Sequence, residues 1–276
     1  MSVALNSGLA VAPAQRHWLN WTGLAAGAAL LAGGAMIAVY RQQAWEYPVV
    51  HGLNVFAHRH AMLDRSMHAL TARDLLQGVP FIALIWFLWF DTDDATIRAR
   101  LIVGTVAAAL TGVVSRMLQL VLPTHLRPLH DTALNFVLPF GVEPEALNHF
   151  NSFPSDHGAV FFALCAVIWR IRPGLGAAAF LWAMIVDFAR VYEGYHFPSD
   201  LIGAVGLALL VLALFENAQG WKVTRRIVSF EGTRRPWFYM LAFVITFQVA
   251  TLFDDVRQLG RGFAAVVLRH DAFDGH

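Results

Sequence analysis

The chain has 276 residues, 57% of them hydrophobic and only 14% charged, against about a quarter charged in an ordinary soluble domain. Its formal net charge of +1 and dispersed arginines supply no basic field for nucleic acid. The single cysteine, Cys165, excludes an intramolecular disulfide and sits in an apolar run, where a small core side chain is expected.

Residues 1–20 lack a basic start followed by a compact apolar stretch and a cleavage site. They read as a cytoplasmic segment, with the first membrane helix acting as the targeting signal. Seven apolar segments follow. Trp21–Tyr40 is free of charge over about 20 residues, enough to cross roughly 30 Å of hydrocarbon. Leu75–Phe90 is shorter, and Leu101–Leu122 is a second full-length span broken by Arg116. Gly158–Trp169, Gly174–Ala189, Leu201–Phe215 and Trp237–Phe253 complete the set, their shorter lengths suited to packing inside a bundle. Small residues such as Gly203 and Gly206 allow close helix contact. Trp18, Trp21, Trp86, Trp89, Trp221 and Trp237 fit an interfacial aromatic belt, and any one of them fits a buried position nearly as well. The pattern predicts an all-α, polytopic membrane bundle. A membrane domain would cover residues 21–215 with its catalytic core at 101–215, and residues 216–276 would hold a basic loop, an extra span and a tail.

With seven spans, the loops carrying Arg98 and Arg100, Arg170 and Arg172, and Lys222 to Arg235 share one side. The positive-inside rule assigns that side, with Arg16, to the cytoplasm. The segment from Gln42 to Asp74 then lies outside and reads as an interfacial helix.

Three polar motifs interrupt the apolar runs, all at this outer side: Arg127-Pro128, Pro154-Ser155-Asp156-His157, and Arg190 with His196 six residues on and Asp200 four beyond. Arginine forks bind phosphate oxygens bidentately and keep their charge at any working pH, so Arg127 and Arg190 form a candidate clamp. Ser155 and Asp156 stand where a helix should begin, with free N–H groups and a dipole that favour an anion. His157 can protonate a leaving oxygen, and His196 can attack phosphorus to give a phosphohistidine. Asp200 can hold the His196 ring in the useful tautomer.

This order and spacing resembles the type 2 phosphatidic acid phosphatase superfamily, membrane lipid-phosphate phosphatases related to vanadium haloperoxidases. The similarity spans roughly Leu101 to Phe215. It implies a six-helix membrane core, here with one extra span, and hydrolysis without a metal or other cofactor. By the family pattern His196 is the nucleophile, His157 the acid and Asp200 the orienting carboxylate, while Arg127, Ser155 and Arg190 hold phosphate. Two positions depart from that pattern. The family's lysine seven residues before the arginine is Leu120 here, and Arg116, one turn earlier, is the candidate replacement beside Asp156 in the phosphate-binding set. Ala189 replaces the serine before Arg190. Asp156 stands where glycine is usual, a variant of undecaprenyl-pyrophosphate phosphatases, which points to a polyprenyl pyrophosphate or another lipid phosphate as substrate. A bacterial inner membrane with a periplasmic site is the implied location, with membrane lipids as further partners and oligomeric state left open. A head-group transferase on the same scaffold and a non-catalytic scaffold are the alternatives.

Other polar residues read as structural. His58 and His60 lack a third ligand at metal-site spacing, His125, His130 and His149 read as interfacial or as lining the entrance, and Asp187 reads equally as a structural pair for Arg190 or as a catalytic group.

Overall fold

The computed structural model describes residues 21–254 other than 124, 148–150, 217 and 219–221. The readings made for Arg16, Trp18, His149, Trp221 and the tail fall outside the described residues. Among those described the fold is all-helical. Ten α-helices run in order: α1 (Trp21–Tyr40), α2 (Tyr47–Asn54), α3 (Ala61–Ala72), α4 (Val79–Phe90), α5 (Ala95–Val121), α6 (Asp156–Ile171), α7 (Pro173–Tyr192), α8 (Pro198–Phe215), α9 (Lys222–Thr233) and α10 (Arg235–Ala250). Four of them, α1, α5, α7 and α8, are long and apolar enough to cross a membrane, and α4 is a shorter apolar helix. Each of the seven apolar segments seen in the sequence overlaps one of these helices. α6 and α10 have 16 residues each, about 24 Å at 1.5 Å per residue.

Local chemistry sets the helix starts. Asp94 caps α5 by accepting from the Thr96 amide at 2.7 Å, and Ser155 caps α6 by accepting from Gly158 at 3.1 Å. Proline opens α7 and α8, where its missing N–H costs nothing. α6 is the central helix. Phe161, Leu164 and Ile168 on it are fully buried, packed with Phe81 of α4, Leu101 of α5 and Leu207 of α8.

α1 docks on α8 through glycine. A Cβ on Gly206 would lie 2.4 Å from the Leu31 amide nitrogen, and one on Gly34 would lie 2.9 Å from the Ser199 carbonyl. The two backbones therefore touch, the arrangement that small residues permit inside a bilayer.

The two ends of the bundle differ. At one end the basic loops are ion-paired: Arg98 with Glu231 at 3.4 Å, Arg170 with Glu216 at 3.7 Å, and Arg172 with Asp91. At the other end lie the C-terminus of α7, the N-termini of α6 and α8, and the segment after α5. All three polar motifs are there.

Two expectations are corrected. The 42–74 region is not one interfacial helix: it forms a short π-helical stretch (Gln42–Glu46), α2 and α3. Glu46 and Asp64 turn inward and are buried, because the polar end of the bundle offers them partners that water or head groups would otherwise supply, and Val50 packs with Leu134, Val191 and Phe197. Nor do Trp86 and Trp89 form a belt. Trp89 is buried and stacks on Phe238 at 5.3 Å, and Trp86 stacks on Phe90 at 5.6 Å. Trp21 and Trp237 do face outward. Cys165 is buried and free, as expected.

The glycine contact yields a test. Gly206→Leu overpacks the α1–α8 seam, a cost typically about 1–3 kcal/mol, and should lower the thermal midpoint of the detergent-solubilised protein by at least about 2 °C. Gly33→Ala, on α1 with nothing within 4 Å of the added carbon, should not.

Candidate active site

The site grows from three helix ends. At the start of α6, the Ser155 hydroxyl is the cap, and its own amide donates to the Asp200 carbonyl at 3.2 Å. The next residue, Asp156, turns its carboxylate to two partners. One oxygen lies 3.0 Å from His157 Nδ1, and the other accepts from Arg116 Nη2 at 2.7 Å. Arg116 is steadied by Gln119 at 2.8 Å, and Gln119 in turn donates to the Pro154 carbonyl at 2.7 Å. Since carboxylates only accept, Nδ1 of His157 carries a proton.

The second corner is the turn from α7 to α8. Arg190, on the last turn of α7, is buried. The chain then reverses at Gly194, whose φ of +77° suits glycine. His196 follows, fully buried. Its Nδ1 faces two acceptors, the Ser152 carbonyl at 3.1 Å and Asp200 Oδ2 at 3.2 Å. That fixes the tautomer: Nδ1 holds the hydrogen and Nε2 keeps the lone pair. The same Asp200 oxygen accepts from the Phe197 amide at 2.8 Å and from the Ser152 hydroxyl. One carboxylate thus caps α8 and orients the imidazole.

Arg127 supplies the third corner. It is 2% exposed. Its Nη1 donates to the Tyr195 carbonyl at 2.6 Å and lies 3.4 Å from His196 Nε2, while Nη2 donates to the Asn151 carbonyl at 3.2 Å. A guanidinium therefore points at the ring nitrogen that bears the lone pair. Burial pushes Arg127 down to about 10, still cationic at neutral pH. Burial also pushes His196 down to about 4, an effect that Asp200 opposes and Arg127 and Arg190 reinforce, so the ring is neutral at physiological pH.

The three sequence motifs, separated by as many as 73 residues from Arg127 to Asp200, are therefore brought together. Arg116 joins through Asp156, whereas Leu120, at the position of the family lysine, is 69% exposed and faces away. Asp156 is engaged by Arg116 and His157, so its side chain is not directed at an anion. Of the two readings of Asp187, the structure shows no direct pairing: both its buried oxygens lack hydrogen bonds. Arg190 instead donates to Gln77 at 3.0 Å and lies over the Tyr195 ring at 5.7 Å, with its Nε unpartnered. His58 packs edge-on against Phe140, and His130 Nε2 lies 2.9 Å from the Ala146 carbonyl. Among the described residues no group of three or more His, Cys, Asp or Glu is placed to hold a metal ion.

Several supporting residues escaped the sequence reading. Ser152 and Gln77 hold Asp200 and Arg190. Glu46, fully buried, accepts from the Ser199 amide at 2.8 Å in the first turn of α8. None belongs to a local motif, since each acts across the chain.

Residues 122–224, which contain all three corners except Arg116, match the PAP2 superfamily. An Escherichia coli K12 protein named "Putative undecaprenyl-diphosphatase YbjG" is 31% identical over 172 residues, 59% of this chain and 79% of that protein. The chain belongs to the PAP2 superfamily. Undecaprenyl-diphosphatase BcrC of Bacillus subtilis is 24% identical over 171 residues, 61% of this chain and 80% of that protein. The crystal structure of a transmembrane PAP2-type phosphatidylglycerolphosphate phosphatase from Bacillus subtilis shares the fold at 20% identity, with a TM-score of 0.51 over 72% of this chain and 96% of that one. The protein is accordingly a membrane phosphatase of the PAP2 superfamily.

Burial of Glu46 couples the stability of this protein to pH. Burial raises its carboxyl from 4.5 to about 7. A raised carboxyl favours the protonated folded state, so its contribution is fully present below pH 4.5 and is lost as pH rises through about 7. The thermal midpoint in detergent should fall across that window, and Glu46→Gln should flatten the fall.

Proposed function

We propose that this phosphatase hydrolyses a polyprenyl diphosphate or a related lipid phosphate through a phosphohistidine, without a metal. The observation that carries the mechanism is the His196 tautomer. With Nδ1 committed to Ser152 and Asp200, the Nε2 lone pair faces the Arg127 guanidinium, the place where a bound phosphoryl group would lie.

The arginines suit the anion. Arg127 and Arg190 converge on the site, and the unpartnered Arg190 Nε leaves a donor for a phosphate oxygen. Ser155 and the N-terminus of α6 add polar contacts. Nε2 of His196 forms a bond to phosphorus as the P–O bond to the leaving group breaks. His157, doubly protonated, gives its Nε2 proton to that leaving oxygen. Water then attacks the phosphohistidine, His157 takes its proton, and inorganic phosphate leaves with His196 restored. Asp200 stabilises the charge that His196 acquires. Asp156, steadied by Arg116, plays the same orienting part for His157, so those two residues support the clamp indirectly.

The substrate class rests on two supports: the undecaprenyl-diphosphatase names of the Escherichia coli and Bacillus subtilis relatives, and Asp156 in the second motif. The ion-paired basic loops at the far end of the bundle support a cytoplasmic assignment for that end, and thus a site at the outer face of a bacterial inner membrane.

Phosphate release from undecaprenyl diphosphate, assayed on purified protein in detergent, should persist with excess chelator. His196→Ala should bring it to background, and His157→Ala should lower kcat by about 10²–10⁴-fold. Full activity in His196→Ala, or loss of activity on chelation, would refute the mechanism.

A further inference from the structure

Beside the catalytic corner, a groove of about 380 Å³ opens between the end of α1 and the segments around Leu122 and Asn151. Ala35 and Val39 of α1, with Leu122 and Phe153, give it apolar walls. Val39 is 64% exposed and Leu126, also at the rim, is 51% exposed, so the groove opens on the outer surface of the bundle through apolar side chains.

Its inner end is polar. Asn151 there is fully used: its oxygen accepts from the His125 amide at 3.2 Å, and its nitrogen donates to the Pro123 carbonyl at 2.8 Å. The His125 ring is different. Its side chain is only 10% exposed, yet neither ring nitrogen makes a hydrogen bond. It stands edge-on to Phe197, centroids 5.2 Å apart, with Nδ1 4.0 Å from Asp200, the carboxylate that orients His196. A buried imidazole whose ring nitrogens make no hydrogen bond costs free energy, which a polar ligand reaching the inner end of the groove would offset.

We propose that this groove seats the apolar chain of the lipid substrate, and that His125 contacts the phosphoryl group at its head. The assignment rests on the phosphatase reading above and adds to it the route by which the lipid reaches the site. An amphiphile with an anionic head fits the order of surfaces: outward-facing aliphatic walls, then the buried imidazole, then Arg127 two residues along the chain. A soluble phosphate would have no use for the walls. A bystander membrane lipid would have none for His125.

The experiment compares two substrates on the full chain in detergent, a long-chain polyprenyl diphosphate and a water-soluble short-chain prenyl diphosphate. Ala35→Trp, which fills the groove, should raise the long-chain KM about tenfold relative to the short-chain KM. Val39→Trp, at a more exposed wall position, should shift the ratio in the same direction if the first variant folds poorly. Leu181→Trp, exposed on α7 away from the groove, should shift neither. His125→Phe keeps the packing on Phe197 but removes the ring nitrogens, and should lower kcat/KM about tenfold or more on both substrates, with partial rescue in His125→Gln. An unchanged ratio in both tryptophan variants, while short-chain hydrolysis continues, would overturn the groove. Full activity of His125→Phe would remove the imidazole from it. If the unaltered protein releases phosphate from neither substrate, the phosphatase reading underneath fails instead.

Discussion

The Asp200 carboxylate is the interaction on which the rest of the site depends. It accepts from the Phe197 amide, the Ser152 hydroxyl and the His196 ring, and it sits on the first turn of the helix it caps. Helix start, loop position and tautomer are therefore one constraint. A neutral side chain in its place would have to choose among these donors, and the imidazole would lose the preference that leaves Nε2 free for chemistry. Such sharing is economical in an apolar bundle, where each additional buried charge demands its own partners.

The cations follow a related logic. Arg190 is held by the neutral amide of Gln77 and by the face of an aromatic ring, and two bonds of Arg127 go to main-chain carbonyls. Such acceptors fix a guanidinium without cancelling its charge. Arg116 is different, since it is bonded directly to Asp156. The corner thus separates guanidinium groups that can meet an incoming anion from one that braces a carboxylate. The proposed nucleophile and the proposed acid each have a carboxylate at Nδ1, so both rings present Nε2 to the reaction.

Much of this was legible in the sequence because an apolar chain makes its polar interruptions conspicuous. Arg127, Ser155, His157, Arg190, His196 and Asp200 lie in short clusters at the ends of hydrophobic runs, and the parity of crossings puts those ends on one side. The supporting residues carry no such signal. Gln77 lies 113 residues from the arginine it holds, and Glu46 lies 153 residues from the amide it caps. One of the two readings of Asp187 misled because three residues along a helix look like an ion-pair spacing, whereas Gln77 takes that place beside Arg190. The 42–74 stretch misled because its mixed composition fits an interface, yet several of its polar residues find partners inside: Asp64 binds Tyr192, and Thr71 and His68 bind Glu193. Trp86 and Trp89 were drawn from the interface by aromatic neighbours on α4 and α10.

α1 has a consequence beyond anchoring. Its glycine face lies against α8, and the chain leaving its end delivers Glu46 to the first turn of that same helix. The helix bearing Asp200 is thus gripped along its length and at its tip by one continuous stretch. A version shortened through Glu46 would strand α8 without its neighbour or its second cap, and the loss would be felt at His196 rather than in membrane attachment alone.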